Sequence, residues 1–213
     1  MKKIIIMIFL MSFTKLFPAF ETDILVNLAA SSSFPVLDSK TIKVNGSTEV
    51  KPEFSLQLGY QFPINRGLKG FSFLLDINAE QSIIGISYPG NQKVVNKETA
   101  INVGGGLAFK FIIGSANSLV PRDTVLGFTA GAKAMVYTPE LILNQLPLIP
   151  FGKVFIEQRF FVSRNLALVL GINVGYDFVM FSGNDVHQLF MGYYVTSYSY
   201  VNIGMSLGLH FGS

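Results

Sequence analysis

The stretch YVNIGMSLGLHF at 200–211 restricts the fold of this chain more than any other feature. Val201, Ile203, Met205, Leu207, Leu209 and Phe211 alternate without a break with Asn202, Gly204, Ser206, Gly208 and His210. Successive side chains of a strand point to opposite faces, so the segment has one apolar face and one small, polar face. It is also long enough to cross a bilayer when tilted, which takes ~9–11 residues.

The pattern recurs along the chain. Phe54, Leu56, Leu58, Tyr60 and Phe62 oppose Ser55, Gln57, Gly59 and Gln61. Phe71, Phe73, Leu75 and Ile77 oppose Ser72, Asp76 and Asn78, and Ile101, Val103, Leu107, Phe109 and Phe111 oppose Asn102, Gly104, Gly106, Ala108 and Lys110. Leu166, Leu168, Leu170, Ile172, Val174, Tyr176 and Phe178 oppose Gly171, Asn173, Gly175 and Asp177. Residues 23–31, 124–137 and 150–160 follow the same rule less regularly, which brings the strands to eight.

Composition says where such strands belong. Half the residues are hydrophobic, yet only 14% are charged, against about 25% in soluble domains. Lys2 and Lys3, the apolar run Ile4 to Phe13 and the small-residue site at Phe17-Pro18-Ala19 have the layout of a secretory signal. Residues 1–19 are therefore expected to be a signal peptide and 20–213 the barrel. Beyond the signal no apolar run reaches the ~18 residues of a transmembrane helix. The signal also carries the chain's excess charge: without Lys2, Lys3 and Lys15, thirteen basic residues face thirteen acidic ones. Nothing in that balance suggests a nucleic-acid partner. The absence of cysteine excludes a lipid-modified N-terminal Cys, disulfides and thiolate metal sites.

Connection lengths orient the barrel. Pro63–Lys69, Gly114–Asp123 and Ser163–Arg164 are comparatively short, whereas Ser32–Pro52, Gln81–Thr99, Thr138–Leu148 and Met180–Tyr198 are mostly longer. Bacterial outer-membrane barrels have short periplasmic turns, longer external loops and an even strand count. That places both termini in the periplasm. Asn45-Gly46, flanked by Ile42, Val44 and Val50, is a type I′ turn signal and predicts a protruding first hairpin. Aromatics sort by strand end: Tyr60, Phe62, Phe71, Phe109, Phe111, Phe160 and Phe211 at the periplasmic end, and Tyr137, Phe151, Tyr176, Phe178, Tyr198 and Tyr200 at the external end. Two such girdles are expected of lipid contact. A soluble barrel would carry Lys and Glu on its polar face. Here that face is mostly Gly, Ser, Asn, Gln and Ala, which suits the crowded inside of a narrow barrel. The fold class is an all-β, eight-stranded, antiparallel, up-and-down transmembrane barrel.

Over essentially its whole mature length the chain resembles the small eight-stranded outer-membrane proteins of the OmpA and OmpX type, in strand number, loop rhythm and aromatic final strand. The resemblance implies that the barrel-assembly machinery reads the strand Val201, Ile203, Met205, Leu207, Leu209 and Phe211. Members of that group usually end on the aromatic itself, whereas Gly212 and Ser213 follow Phe211 here.

Charges on the inward face carry the functional content. Asp76, Glu80, Glu157 and Asp177 stand against Lys110, Lys133, Lys153 and Arg159, four of each sign. A balanced set in a narrow lumen predicts cross-barrel ion pairs that plug it, with Lys153 and Asp177 as a neighbouring pair. The rival reading is a small hydrated pore. Catalysis would need a His with a Ser nucleophile or a carboxylate near one membrane face. His210 is expected to fill the lumen, and His187 sits in a loop near Asp185, with Ser197 and Ser199 later, at no known spacing. Gly104-Gly105-Gly106 lies inside an alternating strand and lacks the Lys-Ser or Lys-Thr of a phosphate loop. No enzyme activity, cofactor or metal is expected.

Function then falls to the scaffold and its loops. The favoured reading is a monomeric structural or surface-interaction protein, in contact with outer-membrane lipid and with a host or cell-surface ligand. The alternative is a narrow channel, as in the OmpW-like group that passes small apolar compounds. The external loops are expected to hold Ile83, Ile84, Ile86, Leu141, Ile142, Leu143, Leu146, Leu189 and Phe190. They lack the basic clusters that a heparin-like ligand would favour.

Overall fold

The computed structural model describes residues 19–37, 48–64, 68–87, 94–114, 122–137, 148–180 and 195–212. Residues 1–18 of the expected signal peptide, the Asn45-Gly46 turn, His187 with Asp185, and Leu141, Ile142, Leu143, Leu146, Leu189 and Phe190 lie outside these residues. Eight strands form: β1 Ala19–Leu37, β2 Thr48–Pro63, β3 Leu68–Ser87, β4 Val94–Gly114, β5 Arg122–Tyr137, β6 Leu148–Ser163, β7 Leu166–Met180 and β8 Val195–Phe211. Each pairs antiparallel with its sequence neighbours, and β1 closes on β8.

The ladders set the shape. Asp23 pairs with Gln57, Gln57 with Asp76, Asp76 with Gly106 and Gly106 with Gly131. Gly131 pairs with Phe151, Phe151 with Asp177, Asp177 with Tyr200 and Tyr200 with Ser33. The circuit leaves β1 at residue 23 and returns at residue 33, a stagger of ten residues over eight strands. A barrel so staggered tilts its strands by about 40° and leaves an interior that side chains can fill.

Several strands outrun the expectation. Ile83, Ile84 and Ile86, expected in a loop, belong to β3, which runs to Ser87. Residues 48–52, also expected in a loop, begin β2, because Lys51, Glu53, Ser55 and Gln57 keep the two-residue period on the inward face. Pro52 disguised that start. It faces outward, and above the Glu53–Glu80 pair the β2–β3 ladder stops, as a residue without an N–H allows. At fifteen to twenty-one residues, the strands exceed what a bilayer crossing needs.

The two faces separate as the alternation requires. Leu28, Phe54, Phe73, Leu107, Val154, Ile172, Ile203, Met205 and Leu207 point outward and are exposed. Polar and charged side chains share the inside with apolar ones such as Leu25, Leu74, Val169 and the cluster Ile112, Val125 and Phe155. Outward rings form a continuous patch at the end where β1 begins and β8 finishes, here the near end. Phe62 stacks on Phe71 at 5.0 Å, Phe71 on Phe109 at 5.7 Å, and Phe109 meets Phe111 at 4.7 Å and Phe128 at 5.8 Å. At the far end the expected girdle is smaller than the sequence suggested. Tyr176 remains outside, donating its hydroxyl to Ser199 Oγ at 2.6 Å, but Phe151 and Tyr200 turn into the lumen. Both stand on the inward positions of their strands, in step with Glu157 and with Asn202, and each meets a cation there.

Candidate functional site: the charged lumen

All eight lumen charges expected from the sequence face inward, and seven of them are almost fully buried; Lys153 alone keeps modest exposure. All but Asp76 join two separate clusters, together with Glu21, Asp23, Lys51, Glu53, Asp123 and His210.

The near-end cluster centres on Asp23. Its carboxylate accepts from Lys110 Nζ at 2.7 Å, from an Arg159 guanidinium nitrogen at 3.0 Å, and meets His210 Nδ1 at 2.6 Å. Lys110 also reaches Glu157 at 3.0 Å, and Arg159 reaches Glu21 at 3.5 Å. These partners come from β1, β4, β6 and β8, so the cluster ties four strands across the lumen. Asp123 on β5 lies directly opposite Arg159 on β6 in the ladder. Acidic groups outnumber the lysine and arginine here; Glu21, Asp23 and Asp123 were absent from the sequence-derived set, so its balance of four charges of each sign does not hold in the lumen.

The far-end cluster holds three ammonium groups and three carboxylates. Lys133 contacts Glu80 at 2.6 Å, Asp177 at 3.5 Å and Glu53 at 3.9 Å. Lys51 contacts Asp177 at 3.1 Å and Glu80 at 3.2 Å. The expected Lys153–Asp177 pair is replaced: Lys153 bonds Glu53 across the lumen, and Asp177 is taken by Lys51 and Lys133. The reason is register. Lys153 pairs with Gly175 and Phe151 with Asp177, which sets Asp177 one step farther from the near end, level with Lys51 and Lys133.

Aromatic rings complete both clusters. Lys51 Nζ lies 4.6 Å from the centre of the Tyr200 ring, Lys133 Nζ 4.7 Å from Phe151, and Lys110 Nζ 5.2 Å from Phe155. A ring face attracts a desolvated ammonium and also excludes water from it. The glycines of β4 and β5 make room for these rings. A Cβ on Gly106 would come within 3.1 Å of the Phe151 ring, and one on Gly104 within 2.6 Å of Lys133 Cγ. Close packing thus explains the inward glycines at 104 and 106, whereas Gly105 faces outward and a Cβ there would meet only Asp76 O at 3.4 Å.

Between the clusters lies a belt of neutral polar groups around Asp76, whose carboxylate accepts from Ser55 Oγ at 2.6 Å. Gln57, Asn78, Thr129 and Asn173 belong to this belt. A cavity of about 10 Å³ lies at the far-end cluster, among Lys51, Glu53, Lys133 and Asp177. It is no larger than one water.

The geometry ranks substitutions. Glu157→Ala leaves Lys110 bonded to Asp23, so the expected loss is modest, about 1–2 kcal/mol. Urea unfolding of the refolded barrel measures it. A loss as large as that of an Asp23 variant would mean that Lys110 depends on Glu157.

His210 sits at the near end, buried, with its Nδ1 on Asp23 and its ring edge-on to Phe161 at 6.1 Å. Ser199 is on the outer wall with Tyr176, remote from it.

No family model matches this chain, and no curated protein matches it. Among solved structures it is similar to Neisserial surface protein A (NspA), at 13% identity and a TM-score of 0.46, covering 90% of this chain and 96% of that one. It is also similar to Ail, the attachment invasion locus protein of Yersinia pestis, in a structure with the heparin analogue sucrose octasulfate. There the identity is 14%, the TM-score 0.36, and the coverage 90% of this chain and 99% of that one. The fold itself is the one expected from the resemblance to the OmpA and OmpX type: a closed, eight-stranded, all-antiparallel barrel.

Proposed function

We propose that this chain is a bacterial outer-membrane protein whose barrel spans the bilayer with a lumen closed by ion pairs. Its role in this reading is structural or adhesin-like, exercised through the external strand ends and loops. The observation that carries the reading is the reversed distribution of side chains: large apolar groups outside, paired charges inside. Lipid is the solvent that favours the first, and a closed barrel leaves no strand edge unsatisfied within it. The short connections then face the periplasm. The barrel-assembly machinery would meet β8 through its outward row Val201, Ile203, Met205, Leu207, Leu209 and Phe211. Just past that row, the Gly212 amide donates to Asn165 O at 3.1 Å, which holds the chain end against the β6–β7 turn. The barrel would act as a monomer in contact with outer-membrane lipid, its external partner a host or cell-surface molecule.

Two plugs in series predict a barrel that does not conduct. Planar-bilayer recording on the refolded protein, with heat-modifiable gel migration as the check of folding, is expected to give no steady single-channel current. Reproducible conductance would overturn the closed lumen and make a narrow channel for small solutes the leading reading.

A further inference from the structure

Two carboxamides on the facing strands β7 and β8 each have one polar atom left over. Asn173 on β7 is 5% exposed and its Nδ2 has no hydrogen-bond partner; Asn202 on β8 is 8% exposed and its Oδ1 has none. The orientation of Asn202 is set by Asp177, whose Oδ2 accepts from Asn202 Nδ2 at 2.8 Å. A flipped amide would put two oxygens together, so Oδ1 is the atom turned elsewhere.

Register explains why these amides do not satisfy each other. Asn173 pairs with Gly204 and Gly175 with Asn202, so the two amides are diagonal neighbours, each beside a glycine. Diagonal positions stand ~7–8 Å apart at Cα, and no side chain fills the corners between them. Both amides line the cavity of about 10 Å³ in the far-end cluster. The space at Gly175 is open on that side: a Cβ there would stand 3.7 Å from Asn202 Cβ and from Asn202 Nδ2, and 3.5 Å from Gly152 O, all ordinary contacts.

We infer that a single water is a fixed constituent of the far-end plug, accepting from Asn173 Nδ2 and donating to Asn202 Oδ1. The inference rests on the closed-lumen reading. The occupant of this seat must accept from one group and donate to the other. It must be no larger than a water, since the cavity holds about one. It must also add no charge to three ammonium groups and three carboxylates that already balance. A metal cation fails the first condition because it cannot accept from Asn173 Nδ2, and an anion fails it because it cannot donate to Asn202 Oδ1. Water meets all three. Buried polar groups in native proteins are nearly always satisfied, by protein or by ordered water. The bound water would link β7 to β8 where their side chains alone leave a gap.

The test uses the full refolded barrel. A high-resolution crystal structure is expected to show one ordered water within hydrogen-bond distance of both Asn173 Nδ2 and Asn202 Oδ1. Gly175→Ala places a methyl in the seat, expels the water and should move the urea unfolding midpoint downward. Gly152→Ala is the control, since its Cβ faces open space and the midpoint should hold. Adding Asn173→Ala to Gly175→Ala removes the stranded donor and should recover part of the loss, a coupling that a purely steric clash would not produce. If Gly175→Ala fails to fold, Asn173→Ala alone decides, because the water should then disappear from its crystal structure. Three results would each overturn the inference: the amides bonded directly to one another, an apolar gap with no ordered density, or a Gly175→Ala barrel as stable as the parent. Conductance plays no part in these readouts, so an open lumen and an absent water remain separate failures.

Discussion

Asp23→Ala is expected to be the most damaging single substitution in the lumen, lowering folding stability by on the order of 3–5 kcal/mol. Asp23 is the one carboxylate shared by a lysine, an arginine and a histidine, at 2.7, 3.0 and 2.6 Å. Lys110 and Arg159 are fully buried, so neither can turn to water when the carboxylate is gone. Removing one member of a buried ionic group leaves the others with their desolvation penalty and without its compensation, which is why the loss exceeds that at Glu157. Urea titration of the protein refolded into lipid vesicles measures it. Asp23→Asn, which keeps the shape and part of the hydrogen bonding, should fall between the two. A midpoint equal to that of the parent would mean that water reaches the near-end cluster.

Ile172→Arg carries the second large effect and addresses the membrane itself. Ile172 lies in the middle of β7, points outward and is 58% exposed. An arginine near mid-bilayer on the outer face of a transmembrane barrel costs ~2–4 kcal/mol. On a water-soluble barrel the same exposed substitution would change stability by no more than about 0.5 kcal/mol. The measurement is the difference in unfolding free energy between parent and variant in vesicles. A neutral result would remove lipid as the solvent of this face. Gly171→Arg is no substitute, because Gly171 faces inward against Ser206 and would fail for steric reasons.

Alternation alone carried the strand number, the closed antiparallel order and the side on which each residue lies. These are local properties: a period of two sorts every strand into an apolar and a polar face whatever its neighbours are. Lys110, Lys133, Lys153, Glu157, Arg159, Asp76, Glu80 and Asp177 were therefore legible as inward charges. Glu21 and Lys51 were not, because each stands at the start of a strand where charge, or an adjacent proline, reads as loop. The signal was present in Lys51, Glu53, Ser55 and Gln57, whose period of two runs straight past Pro52.

Partnership was beyond the sequence. Lys110 meets Asp23 from 87 residues away, and Arg159 meets the same carboxylate from 136. Which charges share a level depends on the ten-residue stagger with which the wall closes, and that number is a sum over eight ladders. A change of register in any one of them would redistribute the pairs. The exchange of Lys153–Asp177 for Lys153–Glu53 and the split into two clusters both follow from it. Sequence periodicity decided that this chain would be a barrel with its charges inside. Only closure decided which charge would face which, because the lumen brings together residues that no local pattern relates.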